Sequence, residues 1–140
     1  MATRDEYELN ETQCQWLKAF MVIYKQASPL IDTIAKLPTE GQPLDRRSLI
    51  EAYRSFGPLL KSLKGMPKPT HKELRNIKND FKKTLSMCIK AGEMAVKMVD
   101  DLGHGYKLAS RMHLSSIVGY MGYAGIYHKA LLDRLAKNGF

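Results

Sequence analysis

The chain reads as an all-α protein, an antiparallel four-helix bundle, and three observations carry that reading. Leu114, Ile117, Met121, Ala124, His128, Leu131 and Leu135 recur at alternating spacings of three and four, which places them on one face of a long helix. A second seam of the same kind runs through Leu74, Ile77, Phe81, Thr84, Cys88, Ala91, Ala95, Met98 and Leu102. No segment has the alternating β-branched pattern of a half-buried strand.

Each element follows from its own signals. The first helix is predicted from roughly Thr12 to Leu37, with Leu17, Phe20, Tyr24, Ala27, Ile31 and Ile34 inward and Trp16 and Ile23 widening the face. Pro29 falls inside it. Proline lacks a backbone donor and its ring clashes with the preceding turn, so a kink or a break is expected near Lys25 to Ser28. Pro38, Gly41 and Pro43 then mark a loop. Asp45 suits the N-cap of a second helix whose face is Leu49, Tyr53, Phe56, Leu60 and Leu63. Gly57 and Pro58 weaken its middle, leaving one kinked helix or two short pieces, and Gly65, Pro67 and Pro69 end it.

The third helix is predicted to open at Thr70, with Glu73 at capping-box spacing. Its outer side carries Lys72, Arg75, Asn79, Lys82, Lys83, Lys90 and Lys97, and should face water. Gly103 and Gly105 bracket His104 in a short connection, where glycine suits a left-handed cap. The fourth helix, from about Tyr106 to Lys137, then returns antiparallel.

A length of 140 residues sets the expectation of a single domain, with residues 1–10 as a mobile acidic N-terminal stretch. Asp5, Glu6, Glu8 and Glu11 give that stretch the wrong charge for a secretion signal. No run is long and apolar enough for a transmembrane segment. Cys14 and Cys88, far apart within helical patterns, read as reduced thiols, so a cytoplasmic setting is expected. The net charge is +8, and residues 104–140 carry five bases against one acid, which favours an acidic partner such as nucleic acid.

The fourth helix bears a second stripe, His113, Ser116, Tyr120, Tyr123, Tyr127, Ala130 and Arg134, beside Gly119, Gly122 and Gly125. A glycine in a helix interior costs about 1 kcal/mol relative to alanine, so three of them call for an offsetting contact. Bare backbone allows close approach of another helix, within the chain or from a second subunit. Gly119, Gly122, Gly125, Tyr120, Tyr123 and Tyr127 are therefore the candidate interface residues.

Chemistry finds less footing. His128 sits on an apolar seam, but the carboxylate-rich inward motifs of di-iron bundles and the Cys-x-x-Cys-His haem motif are missing, and His113 and His128 lie about four turns apart. No metal or cofactor is expected. Ser115, Ser116, His113 and Asp133 do not assemble a nucleophile, base and orienting group, because His113 and Asp133 are separated by about five and a half turns of one helix. The reading therefore leans away from an enzyme.

Three functions fit these residues. The first is a non-enzymatic protein–protein interaction module, homo-oligomeric through the glycine–tyrosine surface with Met112 and Met121 nearby. The second is non-specific nucleic-acid binding through Arg46, Arg47, Lys72, Arg75, Lys82 and Lys83. The third is a small apolar or aromatic ligand held between the first, third and fourth helices, with His128, Tyr24 and Tyr127 as polar anchors.

Overall fold

A computed structural model describes residues 9–35 and 46–137. They form four helices: α1 (Glu11–Ala35), α2 (Arg46–Gly65), α3 (Lys72–Gly103) and α4 (Lys107–Lys137), with no strand among the described residues. The architecture is all-α, as the seams predict.

Helix α1 starts where Asn10 and Gln13 satisfy each other. Gln13 N–H donates to Asn10 Oδ1 at 2.8 Å, and Asn10 N–H donates to Gln13 Oε1 at 2.9 Å. This reciprocal pair is a capping box one turn long. Neither proline ends its helix: α1 runs unbroken through Pro29 and α2 through Pro58. Both rings lie on the exposed side, as do Lys25 and Arg54, whose carbonyls lose their usual partner there. Water can replace that hydrogen bond on an outer face, which is why the helices survive. The expected cap Asp45 and the end of the first helix past Ala35 lie outside the described residues, as do the side chain of Leu49 and that of Arg46.

The cap of α3 differs from the sequence expectation. The helix begins at Lys72, and His71 is its N-cap: Nδ1 accepts from Glu73 N–H at 3.2 Å. Thr70 Oγ1 accepts instead from Gln13 Nε2 at 3.1 Å, tying the α2–α3 connection to α1. Capping-box spacing fitted Thr70 equally well, but the tie to α1 and the extended backbone of His71 shift the start by one residue.

At the other end of α3, Tyr106 N–H donates to Asp101 C=O at 2.8 Å and Gly105 N–H to Leu102 C=O at 3.1 Å. This is a Schellman closure, and the left-handed residue is Gly105 at φ 76°, not Gly103. The turn sends α4 back along α3. Asp101 meets His113 near the turn, while Glu73 and Asp80 meet Arg134 at the far end, so the two helices are antiparallel over their length.

Helix α3 is the spine. It packs against α1, α2 and α4, and its pairing with α4 is the most extensive in the molecule. Phe20, Phe56, Phe81, Ile34, Leu63, Leu74, Ile77, Leu85, Ile117 and Leu131 are fully buried in one cluster. Trp16, Phe20, Tyr24 and Phe81 form a chain of ring contacts through it, with Phe20 edge-on to Phe81 at 5.3 Å. The α2 face is turned slightly from the expected one: Ala52 and Leu59 are buried with Phe56 and Leu63, and Tyr53 and Leu60 are half-buried.

Burial on α3 fades after Ala95, and Leu102 at its end is exposed. On α4 the buried set is Ser110, Ile117, Ala124 and Leu131, one residue per heptad. Leu114, Met121, His128 and Leu135 flank them, half-buried. Helix α4 thus rests on α3 along a narrow coiled-coil seam.

Candidate functional site

The narrowness of that seam decides what the rest of α4 does. Helix α4 touches α1 along the line of Tyr24 and His128, and its remaining circumference meets no other helix among the described residues. The apolar residues there are large. Leu108 is 74% exposed, Met112 and Ile126 are 65%, Tyr123 is 59%, and Val118 and Leu132 lie beside them. Single apolar residues are scattered over most protein surfaces; here several share one side of a helix.

Gly119 and Gly122 lie in this row. With Val118, Tyr123 and Ile126 they line a shallow depression. A methyl group added at either glycine would meet nothing within 4 Å. The close crossing expected of these glycines is therefore not made inside the chain among the described residues. Gly125 also has open space, but it lines a different cleft, with Ile31, Asp32, Met121, Ala124 and His128. Of the three tyrosines, Tyr123 alone shares the outer face. Tyr120 and Tyr127 turn toward α3, where Lys90 Nζ lies 5.9 Å from the Tyr120 ring centre and Lys83 Nζ 5.3 Å from that of Tyr127.

The crossing that does occur within the chain uses a glycine outside that stripe. Gly92 is buried in α3, and a Cβ there would lie 3.0 Å from Tyr53 Cδ2 of α2. The signal was its position among Cys88, Ala91 and Ala95, a run of small residues on a core seam. Arg134, the last residue of the second stripe, turns to α3: its Nε donates to Asp80 Oδ2 at 3.0 Å and its Nη1 to Glu73 Oε2 at 3.4 Å. That fork pins the end of α4 to the start of α3.

The ligand residues divide. The Tyr24 hydroxyl lies 2.8 Å from His128 Nε2. Burial holds the imidazole below its ordinary value, against an opposing pull from Asp32. The hydroxyl and the ring nitrogen share one hydrogen bond, whose direction follows the imidazole tautomer. Burial, aided by Asp32, raises the Tyr24 hydroxyl in turn. The two polar groups satisfy each other. Tyr127 lies across the helix, beside Lys83. The space between α1, α3 and α4 is filled by the aromatic cluster, leaving an open cleft of about 320 Å³ beside His128. A groove of about 310 Å³ at the other end of α1 is lined by Trp16, Met66, Pro67 and Pro69. The Trp16 indole N–H is already donated to Pro67 C=O at 2.8 Å.

The basic residues are dispersed. Arg75 Nη1 donates to the carbonyls of Thr70, at 2.8 Å, and Pro69, and so braces the α2–α3 connection. Arg47 pairs with Glu51 on α2. Lys72 and Lys83 are exposed on α3, and Lys82 is half-buried. Among the described residues, no group of three or more His, Cys, Asp or Glu side chains converges as metal ligands. No described helix is long and apolar enough to cross a membrane. Among the described residues, the fold and this surface define a four-helix all-α arrangement with one open apolar helix face. No known protein family, curated protein or solved structure matches it.

Proposed function

We propose that this chain is a non-enzymatic helical module that acts by binding another protein surface, and that it associates with itself through the outer face of α4. The observation that carries the reading is the row Leu108, Met112, Val118, Tyr123 and Ile126, exposed together around two open glycines. Burying such a row contributes about 25 cal/mol per Å² of apolar area, the main favourable term in association. The helical cost of Gly119 and Gly122, unrecovered inside the chain, is offset when a partner backbone lies against them. Sedimentation over a dilution series tests this. A mass that rises with concentration and falls on Ile126→Asp supports the reading. A wild-type chain that stays monomeric removes it.

A second reading has its own observation. Lys83 and Lys90, seven residues apart on α3, each sit over a tyrosine of α4. Cations interleaved with rings suit a single-stranded nucleic acid. Titration of a labelled oligonucleotide at several salt concentrations tests it. Binding that weakens with salt and is lost in a Lys83→Glu, Lys90→Glu double variant supports it, and no binding at low salt ends it.

A further inference from the structure

The charges on the outer face of α4 specify how two copies meet. At 100° per residue, Arg111, Ser115, Val118, Gly122, Ile126, Lys129 and Asp133 fall on one strip, opposite the buried Ile117, Ala124 and Leu131. Arg111, Lys129 and Asp133 are exposed, and neither Arg111 nor Asp133 makes an ion pair among the described residues. Asp133 is the sole acid of α4.

Resting on the self-association proposed above, we infer that two copies pack α4 against α4 antiparallel, with Gly122 on the two-fold axis. Residues equidistant from Gly122 then face each other. Arg111 of each copy meets Asp133 of the other, Val118 meets Ile126, and Ser115 meets Lys129. Opposite charges coincide, apolar residues coincide, and the residue at the crossing has no side chain. A two-fold axis repeats every contact, so the ion pair forms twice. A parallel pairing sets Arg111, Lys129 and Asp133 each against its own copy, three like-charge contacts that disfavour it. The antiparallel arrangement leaves one like pair, Lys107 with Lys137, at the outermost turns, where water and salt screen it. Ser115, Gly122 and Lys129 recur every seven residues down the middle of the strip, so contact extends on both sides of the glycine.

Cross-linking and charge exchange test the geometry. In a Cys14→Ser background, Ser115→Cys and Lys129→Cys chains are mixed and oxidised. The buried Cys88 stays out of the reaction. The antiparallel dimer joins Ser115→Cys to Lys129→Cys and forms neither self-pair, because the two copies of residue 115 are about 21 Å apart along the helices. A Ser115→Cys self-pair means parallel packing and overturns the inference. Arg111→Asp and Asp133→Arg should each weaken the dimer roughly tenfold, and the double exchange should restore it. Failure to restore also overturns it. These failures leave a dimer of another geometry, so self-association stands; a chain that is monomeric in every arm refutes the self-association itself.

Discussion

Gly122→Leu should move stability and assembly in opposite directions. Gly122 is the central residue of the 31-residue α4, and a Cβ there meets nothing within 4 Å. Leucine is close to alanine in helix propensity, and glycine is worse than alanine by about 1 kcal/mol. No atom of the chain has to move to admit the new Cβ. The isolated subunit should therefore gain about 1 kcal/mol, which corresponds to a melting temperature roughly 3 to 5 °C higher for a chain of this size. At the proposed two-fold axis the same change places two leucines where two backbones meet. Overpacking costs about 1 to 3 kcal/mol at a single site, and symmetry brings two residues to it, so association should weaken about a hundredfold.

The assay is thermal unfolding at several protein concentrations, paired with a solution mass at each. For a self-associating wild type the melting temperature rises with concentration by mass action. For the variant it should be flat, and above the wild type at the dilute end. A variant that keeps the wild-type mass, or that melts below the wild type when both are dilute, refutes the reasoning.

Three further outcomes follow from the packing. Gly92→Leu, the same exchange on the neighbouring helix, should cost about 2 kcal/mol by denaturant unfolding, because its Cβ lies 3.0 Å from Tyr53; a stability gain like that at Gly122 contradicts the crossing. His128 is held below its ordinary value of 6.5 by burial, so the stability it contributes is complete above about pH 6.5 and is lost as the pH falls through the folded-state value. Melts from pH 8 to pH 5 should decline less steeply in His128→Gln, which keeps an acceptor without titrating, and an unchanged slope excludes the histidine as the cause. Burial pushes the Cys88 thiol up to about 12, while Cys14 is exposed, so an aromatic disulfide reagent should titrate one thiol rapidly in the folded chain and the second only on unfolding.

Much of this fold is legible in the sequence because its cores are periodic. The run from Leu74 to Ala95 is buried as its three-and-four spacing requires, and Ile117, Ala124 and Leu131 are the inward positions of α4. The features that escaped the sequence are those that depend on what lies opposite. A proline breaks a helix or rides through it according to whether water reaches the freed carbonyl, and local spacing at Pro29 and Pro58 does not carry that. The cap of α3 passed from Thr70 to His71 because Gln13, 57 residues away, engages Thr70. The same holds for the candidate site. The sequence marks Gly119, Gly122 and Gly125 alike, yet two share the outer face and the third faces a cleft beside His128. Tyr120 and Tyr127 are separated from Tyr123 by the direction of α3, and Arg134 finds Glu73 and Asp80 only once the antiparallel register is set.

In the proposed assembly a second copy of this chain covers the outer face of α4. Sedimentation velocity on the wild-type protein, from dilute solution to the highest concentration that stays clear, tests it most directly. A self-associating chain gives a species of twice the 15.9 kDa chain mass that grows with concentration and disappears in Gly122→Leu. A single 15.9 kDa species across the whole range contradicts it.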